Sequence, residues 1–126
     1  MAGLNDFFTY QILESTDATI EAKIQLNPTH ALYEGHFPGN PVVPGVCQVH
    51  MVKTILSHHL EQKVAMGEAK DVKFLSMIQP QSMNELSCEI ILQKLDEQRY
   101  KVTARLNHGE TMCMRLRATF NFEEKK

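Results

Sequence analysis

Residues 33–46 read Tyr-Glu-Gly-His-Phe-Pro-Gly-Asn-Pro-Val-Val-Pro-Gly-Val and hold three of the chain's five prolines and three of its six glycines. Each proline fixes its own φ and drives the preceding residue out of the helical region, so the stretch is a stiff loop. One imidazole, His36, is set in it. The loop runs directly into an apolar segment whose spacing predicts a helix from Pro44-Gly45 to about Gln62. A helix start carries unpaired N–H groups and the positive end of the helix dipole. Beside it, an imidazole combines a base that works near neutrality with donors for developing negative charge. The plainer alternative is a rigid strand-to-helix connection in which His36 is an incidental polar residue.

The elements that must position this loop follow from periodicity. In the helix, Val46, Val49, Val52, Leu56 and Leu60 recur at spacings of three and four, and Ile55 widens the stripe. Strict alternation over 18–26 places Ala18, Ile20, Ala22, Ile24 and Leu26 on one face and predicts a half-buried strand. Residues 86–95 are strongly apolar, 100–106 alternate, and 111–122 put Met112, Met114, Leu116, Ala118, Phe120 and Phe122 on one side. Short polar turns separate these three, which makes them an antiparallel meander. A shorter strand is expected at 72–75, and a weaker helical turn at 4–10. One long helix with about five or six antiparallel strands is an α+β layout, the helix packed across a sheet.

The chain has 126 residues, expected to form a single domain over 1–126, with a frayed tail at the final Glu-Glu-Lys-Lys. Thirteen Lys and Arg against fifteen Asp and Glu leave a net charge of −2, which gives no bulk drive toward nucleic acid or anionic membrane. Cys47, Cys88 and Cys113 are an odd count and too sparse for a disulfide framework. Neither a secretory leader nor a membrane-crossing apolar run is seen. A cytoplasmic protein is the expectation.

The run Gly-His-Phe-Pro-Gly-Asn-Pro-Val-Val-Pro-Gly-Val resembles the signature of the 3-hydroxyacyl-(acyl carrier protein) dehydratases of the hot-dog fold, the FabZ and FabA enzymes. His36, Phe37, Pro38, Gly39, Pro41, Pro44 and Gly45 fall in register with it, and Lys73-Phe74 and Pro80 resemble the family's next strand and turn. The resemblance implies a central helix wrapped by an antiparallel sheet, paired into a homodimer or a larger assembly of dimers. It implies an active site at the dimer interface and needs neither metal nor redox cofactor. By the same resemblance His36 is the base that removes the α-proton. The carbonyl of Val42 orients it and the Gly45 N–H receives the thioester oxygen. Tyr33 and Phe37 have two readings, lining or gating the acyl tunnel and plain aromatic packing. The chemistry agrees, because a fixed N–H at a helix start meets enolate charge without reorganising.

The family's helix carboxylate stands fourteen residues after the motif histidine, and that position here is His50; the supporting glutamine four residues later is Thr54. Three readings of His50 stay open: a replacement acid working as imidazolium, a neutral donor to the substrate hydroxyl, or a core-edge histidine satisfied by backbone. An apolar tunnel lowers a histidine pKa, which works against the first. Glu34 is read as solvent-facing rather than as a carboxylate for the site, Gln48 as a surface or interface-packing residue, Lys53 as snorkelling to water, and Cys47 as a small buried residue. His30, His58, His59 and His108 have no metal-ligand spacing.

The activity so implied is dehydration of a 3-hydroxyacyl thioester to the trans-2-enoyl thioester in fatty-acid or related lipid or polyene biosynthesis. Alternatives are a hot-dog acyl thioesterase and a non-catalytic acyl-binding dimer partner. The implied partner is an acyl carrier protein bearing substrate on its phosphopantetheine arm, met by a basic rim from Lys70 and Lys73 or from Arg115 and Arg117.

Overall fold

A computed structural model describes residues 6–35 and 41–123. Its elements are strands β1 (Phe8–Ser15) and β2 (Thr19–Leu26), a 3-10 turn (Ala31–Glu34) and helix α1 (Gly45–Leu60). Four further strands follow: β3 (Val64–Phe74), β4 (Glu85–Lys94), β5 (Arg99–His108) and β6 (Thr111–Phe122). The six strands form one antiparallel sheet in the order β1-β2-β4-β5-β6-β3. The helix lies against its inner face. This is the hot-dog fold that the sequence implied.

Alternation becomes burial directly. Ile20, Ala22, Ile24 and Leu26 of β2, Leu86, Cys88, Ile90 and Leu92 of β4, and Val102, Ala104 and Leu106 of β5 all point into the core. β6 contributes Leu116, Ala118 and Phe120. Near its start the register with β5 shifts, pairing Leu106 with Met114 but Asn107 with Met112. The extra residue, Cys113, and its neighbour Met114 are both fully buried, as a β-bulge permits. All three cysteines are buried and unpaired.

Three details differ from the sequence reading. Around the expected helical turn at 4–10, the described residues from Phe8 onward are strand: β1 pairs Phe8 with Leu26, Tyr10 with Ile24 and Ile12 with Ala22. Aromatic and β-branched residues at alternate positions favour a pleated surface once a partner strand is available. β3 is eleven residues long, far more than the stub expected at 72–75. Its first eight residues, Val-Ala-Met-Gly-Glu-Ala-Lys-Asp, have no alternation to find, because they lie at the sheet edge and slip register against β6 near Met66, Ala69 and Asp71. The helix stripe is rotated: Cys47, Gln48, Met51, Val52, Ile55 and Leu56 face the sheet, whereas Val46 is 66% exposed. The helix stops at Leu60, with Glu61 in the left-handed region at φ 56° returning its N–H to the Ser57 and His58 carbonyls.

Candidate active site

The start of α1 is pinned from both sides. Pro44, at φ −62° and ψ 149°, precedes the first turn, and no side chain caps it. Its carbonyl accepts from the N–H of Cys47 at 3.0 Å and of Gln48 at 3.1 Å. Val43 donates its N–H to the Ile78 carbonyl at 2.9 Å, tying the loop to the segment after β3. From the helix, Gln48 Nε2 donates to the Val43 carbonyl at 3.2 Å. Among the described residues the Gly45 N–H meets no acceptor and the Val42 carbonyl no donor. A donor and an acceptor are thus fixed by the same short, proline-bounded segment.

Gln48, expected at the surface or in an interface, is packed inside the protomer at 3% exposure, and its Oε1 is buried without a partner among the described residues. The amide cannot turn round, because the Val43 carbonyl must face Nε2; the acceptor side is therefore set. Phe74, from the end of β3, lies on Gly45 so closely that a Cβ there would stand 2.6 Å from the ring's Cζ. Glycine at this position is what lets an aromatic ring reach the helix start. Val42, Gly45, Gln48, Phe74 and Met77 border a hollow of about 330 Å³.

His50 lies in the second turn of α1, half-buried, on another face of the helix. Its Nε2 is 3.4 Å from Thr54 Oγ1, which donates to the His50 carbonyl at 2.8 Å. The Phe8 ring stands edge-on to the imidazole at 88°, with centroids 6.5 Å apart. Burial, reinforced by Lys53, pulls the His50 pKa below the ordinary value. Neutral imidazole is the favoured form.

Tyr33 lies in a different hollow, with His30 and Pro41, and stacks tilted on Phe7 at 5.6 Å. Its hydroxyl is buried without a described partner, and burial raises its pKa far above the usual phenol value. Val42 and Gly45 are thus brought together, Tyr33 and His50 stand apart from them, and His36 and Phe37 lie outside the described residues. Gln48, Phe74 and Met77 are the additions to the sequence reading. A glycine at the first position of an apolar helix was the one local sign of a close neighbour.

The remaining candidates settle simply. Glu34 is exposed, and Cys47 is buried with its thiol pKa pushed up, which disfavours a reactive thiolate. Lys53 reaches Glu123 at 3.6 Å. Tyr10 Oη and His58 Nδ1 share a hydrogen bond of 2.8 Å. Arg115 and Arg117 both approach Asp71, at 3.9 and 3.7 Å, while Lys70 and Lys73 are exposed on β3. Among the described residues there is no His, Cys, Asp and Glu cluster able to hold a metal, and no helix is long and apolar enough to cross a membrane.

With six strands in one antiparallel sheet and one α-helix against it among the described residues, the molecule falls in the hot-dog class. The family model for ApeI-like proteins, described as ApeI dehydratase, matches residues 12–115. The chain belongs to this dehydratase family. Among curated proteins it resembles the 3-hydroxyacyl-[acyl-carrier-protein] dehydratase FabZ of Levilactobacillus brevis, 30% identical over 95 residues, covering 70% of this chain and 63% of that one. FabZ of Lactiplantibacillus plantarum is 32% identical over 71 residues, covering 51% and 48%. The chain therefore spans between about half and just under two thirds of the curated relatives it matches. The dehydratase heterocomplex ApeI:P of Xenorhabdus doucetiae superimposes with a TM-score of 0.67 at 20% identity, over 90% of this chain and 94% of that one. A thioesterase of Haemophilus influenzae gives 0.64 at 15%, over 96% and 82%. At such identities both likenesses concern the fold, which serves two different reactions.

Proposed function

We propose that this protein dehydrates a 3-hydroxyacyl thioester, presented by an acyl carrier protein, to the trans-2-enoyl thioester. The observation that carries the reading is the Gly45 N–H, without an acceptor among the described residues, at the start of a sixteen-residue helix held there by Val43 and Gln48. Removing a proton next to a thioester places negative charge on its oxygen, and a preorganised N–H stabilises that charge. In this reading His36 takes the proton and the Val42 carbonyl holds its imidazole. Tyr33 and Phe37 border the path of the acyl chain. The FabZ relatives act on carrier-protein substrates by name, which supports the same substrate class here. Lys70 and Lys73 are the better contributors to a basic docking rim, since Arg115 and Arg117 share Asp71. The pathway is lipid or polyene synthesis, in a cytoplasmic setting.

Pairing belongs to the proposal. Val46, Phe74, Leu75 and Met77 are large, exposed and gathered around the helix start and the end of β3, whose outer edge is unpaired among the described strands. A second copy would cover them, and the dehydratase heterocomplex of the Xenorhabdus neighbour makes an unlike partner chain the alternative. The mass of the purified protein in solution distinguishes the two.

Hydrolysis of the thioester is the second reading, supported by the thioesterase sharing the fold. Against it, residues 45–60 contain no carboxylate to activate water. The test supplies purified protein with a 3-hydroxyacyl carrier-protein thioester and with its saturated analogue, and analyses products by mass. Loss of water from the first alone is expected. Free acid from either would replace dehydration with hydrolysis, and binding without turnover would leave an acyl-binding module. His36→Ala should abolish loss of water; undiminished turnover would remove His36 from the role of base.

A further inference from the structure

We propose that Thr54 fixes the tautomer of His50, placing its hydrogen on Nε2, so that α1 offers the unshared pair of Nδ1 as an acceptor. The argument is a count of protons. Thr54 Oγ1 lies 2.8 Å from the His50 carbonyl oxygen and 3.4 Å from His50 Nε2. A hydroxyl has one hydrogen, and a carbonyl can only accept, so that hydrogen is committed to the His50 carbonyl. What Oγ1 presents to the ring is a lone pair, and the nitrogen facing it must donate. A neutral imidazole with its hydrogen on Nε2 carries its lone pair on Nδ1.

The surroundings agree with a neutral ring. From β1, the packed side chains are Phe8, edge-on to the imidazole, and Tyr10, whose hydroxyl is engaged with His58 Nδ1. The neighbouring cation on the helix is Lys53, and its partner Glu123 is drawn to that ammonium rather than to the ring. Burial and Lys53 both oppose protonation. Among the described residues no group meets Nδ1.

This assignment deepens the dehydratase reading and rests on it for its chemical consequence. An acceptor at Nδ1 holds the substrate's 3-hydroxyl by receiving its hydrogen and has no proton of its own to give. The leaving oxygen must then be protonated by the base that took the C2 proton. The C2–H and C3–O bonds break, the C2–C3 double bond forms, and the C2 proton departs with the hydroxyl as water, so no proton is drawn from solvent. His50 becomes a substrate-orienting acceptor and Thr54 a positioning residue that acts through it.

Nitrogen-15 NMR of histidine-labelled protein, recorded without substrate near neutral pH, tests the assignment. His50 should show a protonated Nε2 and an unprotonated Nδ1, kept in Thr54→Ser and lost to a mixture of tautomers in Thr54→Val. In turnover, Thr54→Val should lower kcat by roughly tenfold or more with little change in KM, because a misplaced orienting group affects the reacting geometry, and Thr54→Ser should restore it. A wild-type ring with its hydrogen on Nδ1, or a charged ring, overturns the proposal. So does a Thr54→Val protein with unchanged spectrum and kcat. Since the spectrum needs no substrate, failure of the protein to dehydrate any thioester would reject the reaction while the tautomer is still decided.

Discussion

Toward the sheet, α1 presents Cys47, Met51, Val52, Ile55 and Leu56, none more than 2% exposed. Away from it the same sixteen residues present Val46, His50, Lys53 and Thr54, all exposed or half-buried. The first set makes the helix stay where it is; the second is held by single hydrogen bonds and a surface ion pair. Gln48 belongs to the first set by burial and to the second by chemistry, since its amide fixes the loop that carries Val42 and Gly45. The lesson of the contrast is that one helix can present stability and chemistry at different angles, with Gln48 as the residue that joins the two.

The largest expected effect is on the buried face. Ile55→Ala removes a fully buried side chain from the centre of the contact and should cost about 2–5 kcal/mol in urea unfolding. A loss below about 1 kcal/mol would show that the helix is held elsewhere. Gly45→Ala comes next. Its methyl meets the Phe74 ring, so about 1–3 kcal/mol of strain is expected, together with loss of turnover as the helix start shifts. Adding Phe74→Ala should relieve the strain, and a double variant no more stable than Gly45→Ala would deny that the ring is the obstacle.

Smaller effects sharpen the outward face. The His50 pKa is lowered on folding, so the unfolded chain binds more protons once pH falls below the ordinary histidine value of about 6.5. Stability must therefore fall as pH drops through that region and be unaffected by this group well above it. His50→Asn should flatten that part of the pH–stability curve and leave stability at pH 8 nearly unchanged; an unaltered slope would mean that His50 is not the group responsible. Lys53→Met, last, should change stability by no more than about 1 kcal/mol, because its ion pair is long and partly open to solvent. It should also raise the His50 titration midpoint seen by NMR, since one opposing charge is gone.

How much of this was legible in the sequence depended on whether a residue's neighbour was local. β6 occupies the 111–122 span that its alternation marked, although the bulge near its start buries Cys113 and Met114 in succession and regular alternation holds only beyond them. The part of β3 before residue 72 escaped notice because an edge strand with two slips in register needs no regular pattern. The helix was found within two residues at its far end, but its buried stripe was misplaced: Val46 is as apolar as Val52, and only the sheet's position tells them apart. In the site, the start of α1 was legible from the loop's prolines, whereas Val42 and Gly45 were singled out by the family resemblance alone. The contact of Phe74 with Gly45 was not legible, since 29 residues separate the two and only the return of β3 to the helix joins them.

The three unpaired thiols sample three parts of this architecture: Cys47 the first turn of α1, Cys88 the middle of the sheet and Cys113 the bulge in β6. Each is sealed from water at 2% exposure or less. A maleimide can therefore reach a given sulfur only when that part of the molecule opens. The wild-type chain thus carries its own set of local clocks, and the order in which the thiols are alkylated would rank the breathing of helix, sheet and bulge without any engineered label.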